Sequence, residues 1–579
     1  MTIQAQSDQL ARNYFDQGQF EKAKLSYKKV LNRRPNDTRV ILGYIATLQQ
    51  LEEYEDARFY LENVVSRIST NEVYLVELGY NHQLQQQDSI ATTYYNQAID
   101  QVSQNPRRTG LTGKAFRSHN LLEQAVQVYE IGMTFNPQAV YTLELAEIYG
   151  ELGQLEEMFD SYLFLVLKNN TYLSRAQRYI GRFVTDDPFN EANGIFRKLL
   201  LKKLQQEPLI VYNELLSWLY IQQKDFKKAF LQEKAIYKRS GEDLNGVIAL
   251  AEITIEERED NIAREILQYL INTAQDDVTV LESQQQLLLL DISDTNQDKT
   301  EIAQRYRDLL DQYGSNEFTL GLQRDYAHYL AFELRQTQEA TDFLKRGLKQ
   351  RLNKFNEARL KMELADILVL EEKFNQALIY YSQIQNKVTN NSLAQEARFK
   401  VARTSYYKGD FEWAENQLNV LKGSATQLIA NDALELLLII RDNSLEDSTQ
   451  TALKKYAKAD LLGYQNKKQE ALAIYDNILA QHKGDAIEDE ALLAQAKLHE
   501  EYNTYKKAET NYLKIIRFFN DGILADEAHY RLAQLYEFEL GQPEKAKENY
   551  ERIIFDFADS IYYVDAQKRF RSLRGDAIN

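Results

Sequence analysis

The side chains that could carry chemistry are few and scattered along this sequence. Six histidines, His82, His119, His328, His482, His499 and His529, are the first candidates for metal ligation or proton transfer. A metal site wants imidazoles one helical turn apart, as in a His-Glu-x-x-His run, or grouped with cysteines. No two of these histidines stand four residues apart, and the chain has no cysteine. Thiol catalysis, zinc–thiolate sites, disulfides and a lipid-modified N-terminal cysteine are thereby excluded. The run Gly110-Leu111-Thr112-Gly113-Lys114-Ala115 approaches a phosphate-binding loop. Its spacing is too short, no hydroxyl residue follows Lys114, and no strand precedes it. Carboxylates abound, as in Glu256-Glu257-Arg258-Glu259-Asp260, but such a run on a helix reads as a solvated face. Arg574-Gly575-Asp576 spells a cell-adhesion tripeptide, read here as coincidence. No enzyme, cofactor or metal site is expected.

The positioning elements are more informative. With 579 residues the chain exceeds what one hydrophobic core organises, so several domains or a repeat array are expected. Hydrophobic residues at 44% and charged residues at 27% are an ordinary folded composition. A formal net charge of -17 argues against nucleic acid as the main partner and disfavours anionic lipid. No apolar run is long enough to span a bilayer. Ile3-Gln4-Ala5 looks like the end of a secretory signal whose apolar core has been trimmed away, and export is the expectation.

Ala23, Ala57, Ala91 and Ala125 are each 34 residues apart. Twelve residues before each stands Ala11, Ile45, Gly79 or Gly113, and four residues after stands Tyr27, Leu61, Tyr95 or Tyr129. Such a register is an internal repeat. Two helices of about 12–15 residues and a short turn fill 34 residues. Where the two cross closely, one side chain on each must be small, and the aromatics fill the flanking space. Gly18 lies in the turn, where a left-handed backbone costs it little. All six prolines (35, 106, 137, 188, 208 and 543) fall between expected helices. His82 occupies an aromatic position and reads as a core histidine.

At Leu10-Ala11, Tyr14, Ala23, Tyr27, Val30 and Pro35 the sequence resembles the tetratricopeptide repeat family. The pattern returns at Leu78-Gly79 with Ala91, Tyr95 and Ala98, and at Leu145-Ala146 with Tyr149 and Tyr162. Later copies centre on Ala229, Ala263, Ala340, Ala377, Ala414, Ala471, Ala508 and Ala546. The resemblance implies an all-α, right-handed superhelical solenoid of helix-turn-helix repeats. We divide it into blocks at 1–170, 171–320, 321–450 and 451–579. Residues 171–208, 275–320 and 424–450 are degenerate, and 171–208 reads as one helix ending near Val184 and another starting at Pro188. The longer late repeats, with phrases such as Asp526-Glu527-Ala528-His529-Tyr530-Arg531-Leu532-Ala533, look like periplasmic tetratricopeptide proteins of outer-membrane assembly and Tol–Pal systems. The whole is similar to large exported tetratricopeptide proteins of Bacteroidota.

In that family the first helix of each repeat lines a concave groove. Projecting its ligand-facing positions gives Trp218, then Tyr456, Asp460 and Tyr464, then Leu493, Lys497 and Glu501, and finally Tyr530, Gln534 and Phe538. Aromatic anchors among polar groups suit an extended peptide or a partner helix. The clamp that some members use for a C-terminal carboxylate is absent, since Asp8, Arg12, Leu42, Ala46, Val76 and Tyr80 stand in its place. The expectation is a non-enzymatic protein-binding scaffold of the cell envelope, with envelope or outer-membrane proteins as partners. A cytoplasmic adaptor or assembly chaperone and a glycan- or peptidoglycan-binding envelope protein are the alternatives.

Overall fold

The computed structural model describes residues 3–575 except 136–140, 188, 242, 294–296, 424–426 and 445–448. Pro137, Pro188 and Asp576, singled out above, lie outside the described residues. The chain forms two compact units, Met1–Ser283 and Gln284–Asn579. Among the described residues every regular element is helical, with thirty-two α-helices, short 3-10 or π turns, and no strand. Within each unit most chain-neighbouring helices among the described residues pack on one another, as hairpins that stack in sequence order.

One backbone device repeats at the hairpin turns. Gly18 (φ 70°), Glu52 (59°), Gln86 (61°), Asn120 (56°) and Gly153 (73°) adopt the left-handed conformation at intervals of 34, 34, 34 and 33 residues. After each, the next N–H donates to a carbonyl five residues back: Gln19 to Tyr14, Glu53 to Leu48, Gln87 to His82, Leu121 to Phe116, Gln154 to Tyr149. This is the Schellman closure that satisfies carbonyls at a helix end. Three of the five are not glycine, although left-handed backbone costs an L-residue ~1 kcal/mol. The hairpin dictates the conformation and tolerates the cost.

Two hairpins of the second unit depart from it. Helices Leu320–His328 and Ala525–Gln534 each run into a π turn, Tyr329–Glu333 and Leu535–Glu539. There Leu334 N–H donates to Tyr329 O at 3.1 Å and Leu540 N–H to Leu535 O at 2.9 Å. Each π turn accommodates one extra residue. In the second hairpin that supplies one of the four residues by which the Ala508–Ala546 interval of 38 exceeds the 34 of the first repeats.

The twelve repeat alanines, from Ala23 to Ala546, are all buried, at 1% exposure or less. They fix the register of the core. The aligned glycines have a more specific task than a bare helix crossing. A Cβ on Gly79 would lie 2.2 Å from Cε1 of Tyr95, and one on Gly113 would lie 2.5 Å from Cζ of Tyr129. Each glycine leaves room for the ring that sits four residues beyond the alanine.

The degenerate stretches are helical too. Over 171–208 the helices are Leu173–Ile180 and Glu191–Gln206, so the first stops short of Val184 and the second begins after Pro188. Asn193 sets that boundary by donating to Thr185 O at 2.8 Å and Asp187 O at 3.1 Å, while Asn190 accepts from the Asn193 N–H at 3.0 Å. The side-chain cap offsets the missing alanine pair as a local determinant.

Candidate protein-binding groove

Within the second unit the first helices of successive hairpins include Lys354–Leu370, Ser392–Lys408, Thr451–Tyr464, Ile487–Glu501 and Ala525–Gln534. Residues 86 to 98 positions apart meet across their faces. Tyr464 donates its hydroxyl to Asp366 O at 3.1 Å, and Gln465 Nε2 donates to Leu370 O at 3.0 Å. Lys458 pairs with Glu372 at 2.9 Å. The Tyr464 ring meets the π-turn residue Phe332 edge-on, with centroids 5.6 Å apart, and lies 6.2 Å from Tyr407. Arg403 sits between them, donating to the Tyr407 hydroxyl at 2.7 Å, its guanidinium 6.0 Å from the Tyr464 ring. The chain here fills its own inner face.

Electrostatics tie this face together. Burial pushes the Asp460 carboxyl up, and the Arg403 charge pulls the other way. Burial also raises the Tyr464 hydroxyl, with Asp366 adding to the effect. Asp366 accepts from Tyr381 at 2.5 Å and pairs with Lys400 at 2.6 Å. His328 stacks on Phe332 at 4.2 Å and reaches Glu363 at 2.9 Å. Desolvated polar groups matched this way rigidify a face but leave it few vacant donors or acceptors.

The expected anchors therefore divide. Tyr456 is buried against Tyr475, with ring centroids 5.6 Å apart. Leu493 is buried in the core of the last hairpins. Neither side chain faces a ligand, and for these two the projected groove position is a core position, because neighbouring hairpins cover it. Tyr464 and Asp460 belong to the self-filled face. Lys497 pairs with Glu527 at 2.8 Å, and Glu501 with Lys468 at 2.6 Å. Trp218 lies in the first unit, in helix Ile210–Gln222.

The last hairpins bring together the remaining three. Tyr530 stacks on Tyr562 at 4.4 Å, donates to Asp565 at 2.7 Å, and accepts from Gln534 Nε2 at 3.1 Å. Arg569 pairs with Asp565 at 2.6 Å and sets its guanidinium 5.0 Å from the Phe538 ring. Phe538 is 57% exposed. It occupies the π-turn position that Phe332 occupies in the other such hairpin, where Tyr464 covers the ring. Sequence projection missed Phe332, Arg403, Tyr562 and Arg569. A signal for the first was present: Phe-Glu-Leu-x-Gln-x3-Ala reads from Phe332 to Ala340 and again from Phe538 to Ala546.

One acid nearby gives a pH prediction. Glu490, at the start of helix Ile487–Glu501, accepts from Asn443 at 3.2 Å, while its second carboxylate oxygen has no hydrogen-bond partner among the described residues. Burial, reinforced by Asp489, pushes it up to about 9 from an ordinary 4.5. Below pH 4.5 the acid is protonated folded or unfolded and costs nothing. As pH rises from 4.5 to about 9, the unfolded chain ionises freely and the folded one does not, so stability is lost across that window. Glu490→Gln should therefore match the wild type near pH 4.5. At pH 8 it should exceed it by on the order of 1–2 kcal/mol, less than the full shift because the residue is partly exposed. Urea titrations of both proteins at the two pH values measure the difference. A gap that does not widen with pH excludes the assignment.

Among the described residues no group of three or more His, Cys, Asp or Glu could hold a metal ion, and no helix is long and apolar enough to cross a membrane. Comparison with known families matches residues 8–37 and 526–554 to the tetratricopeptide repeat. The chain thus carries tetratricopeptide repeats near both ends, and this repeat is generally a non-catalytic protein-binding scaffold. No curated protein matches. Among solved structures, a chain from Naa15/Naa10 bound to HypK-THB is 11% identical, with 99% of this chain and 97% of that one covered and a TM-score of 0.32.

Proposed function

We propose that this chain is a non-enzymatic scaffold that docks a partner polypeptide on the inner face of its last hairpins. The observation that carries the reading is Phe538. Its counterpart Phe332 is covered by an aromatic residue delivered from the end of a helix, and among the described residues Phe538 has no such ring against it, only the Arg569 guanidinium. A partner helix or extended segment bringing its own aromatic ring would complete the same contact. Tyr530 is already held rigid by Tyr562 and Asp565, so its ordering costs the complex nothing. The partner belongs to the cell envelope in this reading, on the strength of the resemblance to exported tetratricopeptide proteins.

Affinity purification of the tagged protein from its own cells, with mass spectrometry, identifies the partner. Phe538→Ala should weaken recovery of that partner ~30-fold, the equivalent of about 2 kcal/mol for an exposed anchor. Phe59→Ala, at a 72% exposed position in the first unit, should leave it unchanged. Equal recovery with both variants would move the site elsewhere. Recovery of only cytoplasmic proteins would remove the envelope assignment.

A further inference from the structure

The first unit holds a cavity of about 470 Å³ between helices Ile210–Gln222, Phe226–Ser240 and Asn245–Glu256. Two helix faces build its walls. Glu214 and Trp218 are four residues apart on one helix, and Glu233 and Tyr237 four apart on the next, so each carboxylate shares a face with an aromatic ring. Asp243 adds a third acid, and no lysine, arginine or histidine is among the described lining residues.

Trp218 is held from behind. Its ring system and that of Phe196 meet at 76° with centroids 6.5 Å apart, and a Cβ on Gly181 would lie 3.7 Å from its Cζ2. The indole is partly exposed on the cavity side. Glu214 makes no hydrogen bond or ion pair among the described residues, and burial alone pushes its carboxyl up. Glu233 accepts from the Ser217 hydroxyl, and burial raises it too, with the facing Glu214 adding to the effect. Its carboxylate lies directly over the backbone of Gly246, where any Cβ would strike it at 2.0 Å. Two desolvated carboxylates facing each other without a cation are costly to keep ionised, and a positive charge between them offsets that cost.

We propose that this cavity receives a basic side chain, arginine or lysine, of a partner polypeptide. The cation would lie against the Trp218 ring, with Glu214, Glu233 and Asp243 around its charged head. An indole face attracts a cation through its quadrupole, and a charge-assisted hydrogen bond to a carboxylate fixes its direction. This inference concerns the first unit alone and stands apart from the docking face around Phe538.

The test uses the full chain with Trp413→Phe, which leaves Trp218 as the sole tryptophan of the two. Acetylated, amidated Gly-Arg-Gly, Gly-Lys-Gly and Gly-Gln-Gly peptides are titrated by fluorescence and by calorimetry. Saturable binding of the arginine or lysine peptide, with none of the glutamine peptide, is expected; the two basic arms show which cation is preferred. Glu214→Gln should weaken that binding ~10-fold or more without lowering the melting temperature. Phe538→Ala should leave it unchanged. Equal responses to all three peptides, no saturable response to any, or undiminished binding to the Glu214→Gln protein would each overturn the proposal.

Discussion

Ala91→Phe should destabilise the first unit by ~3 kcal/mol or more, the upper range for overpacking a tight contact. Ala91 is 1% exposed in helix Asp88–Gln104, and its hairpin partner Glu72–Gln83 lies close enough that Gly79 can carry no Cβ. A ring at position 91 has no cavity to enter, so the helices must part. That also displaces Tyr95, whose hydroxyl donates to Gln83 at 2.7 Å. In a repeat array each hairpin mainly supports its neighbours, so the damage should begin locally. Hydrogen exchange should accelerate first over residues 72–104 and leave the second unit, from Gln284 onward, at wild-type protection. Equal loss of protection in both units would contradict a repeat array with local coupling. Gly79→Val should reproduce the effect from the opposite helix, because its new side chain meets the Tyr95 ring.

Tyr456→Ala and Phe538→Ala should have opposite consequences, although sequence projection puts both on a ligand-facing surface. Tyr456 is 8% exposed and its ring packs on Tyr475, so truncation leaves a cavity and should cost ~3–5 kcal/mol. Phe538 touches the Arg569 guanidinium and is otherwise largely in water, so its loss should change the melting temperature little while weakening partner capture. Thermal unfolding of the two single variants separates the roles. If Tyr456→Ala melts with the wild type, the ring is not core. If Phe538→Ala melts several degrees early, the π-turn phenylalanine is structural and the proposed docking face loses its anchor.

The sequence alone determined the hairpin and its register. Small residues at the helix contact, a large ring four positions on and a punctuated turn are local requirements, repeated because each hairpin solves the same packing problem. Ala23, Ala57 and Ala91 carry that information directly, and their burial follows from it. Spacing alone also implied the longer late repeats, but only the backbone shows that a π turn at Leu535–Glu539 absorbs one of the extra residues in the last of them. Which projected groove residues are free was decided by tertiary structure. Phe332 and Phe538 share a sequence pattern, yet one is covered by Tyr464 from more than a hundred residues away and the other is open. Tyr456 and Tyr464 sit on one helix, eight residues apart, yet one is core and the other closes an inner face through Asp366. Periodicity records which face of a helix is turned inward. It does not record what stands opposite, because that depends on how the curvature of successive hairpins accumulates, a sum over many small packing angles that no single repeat encodes.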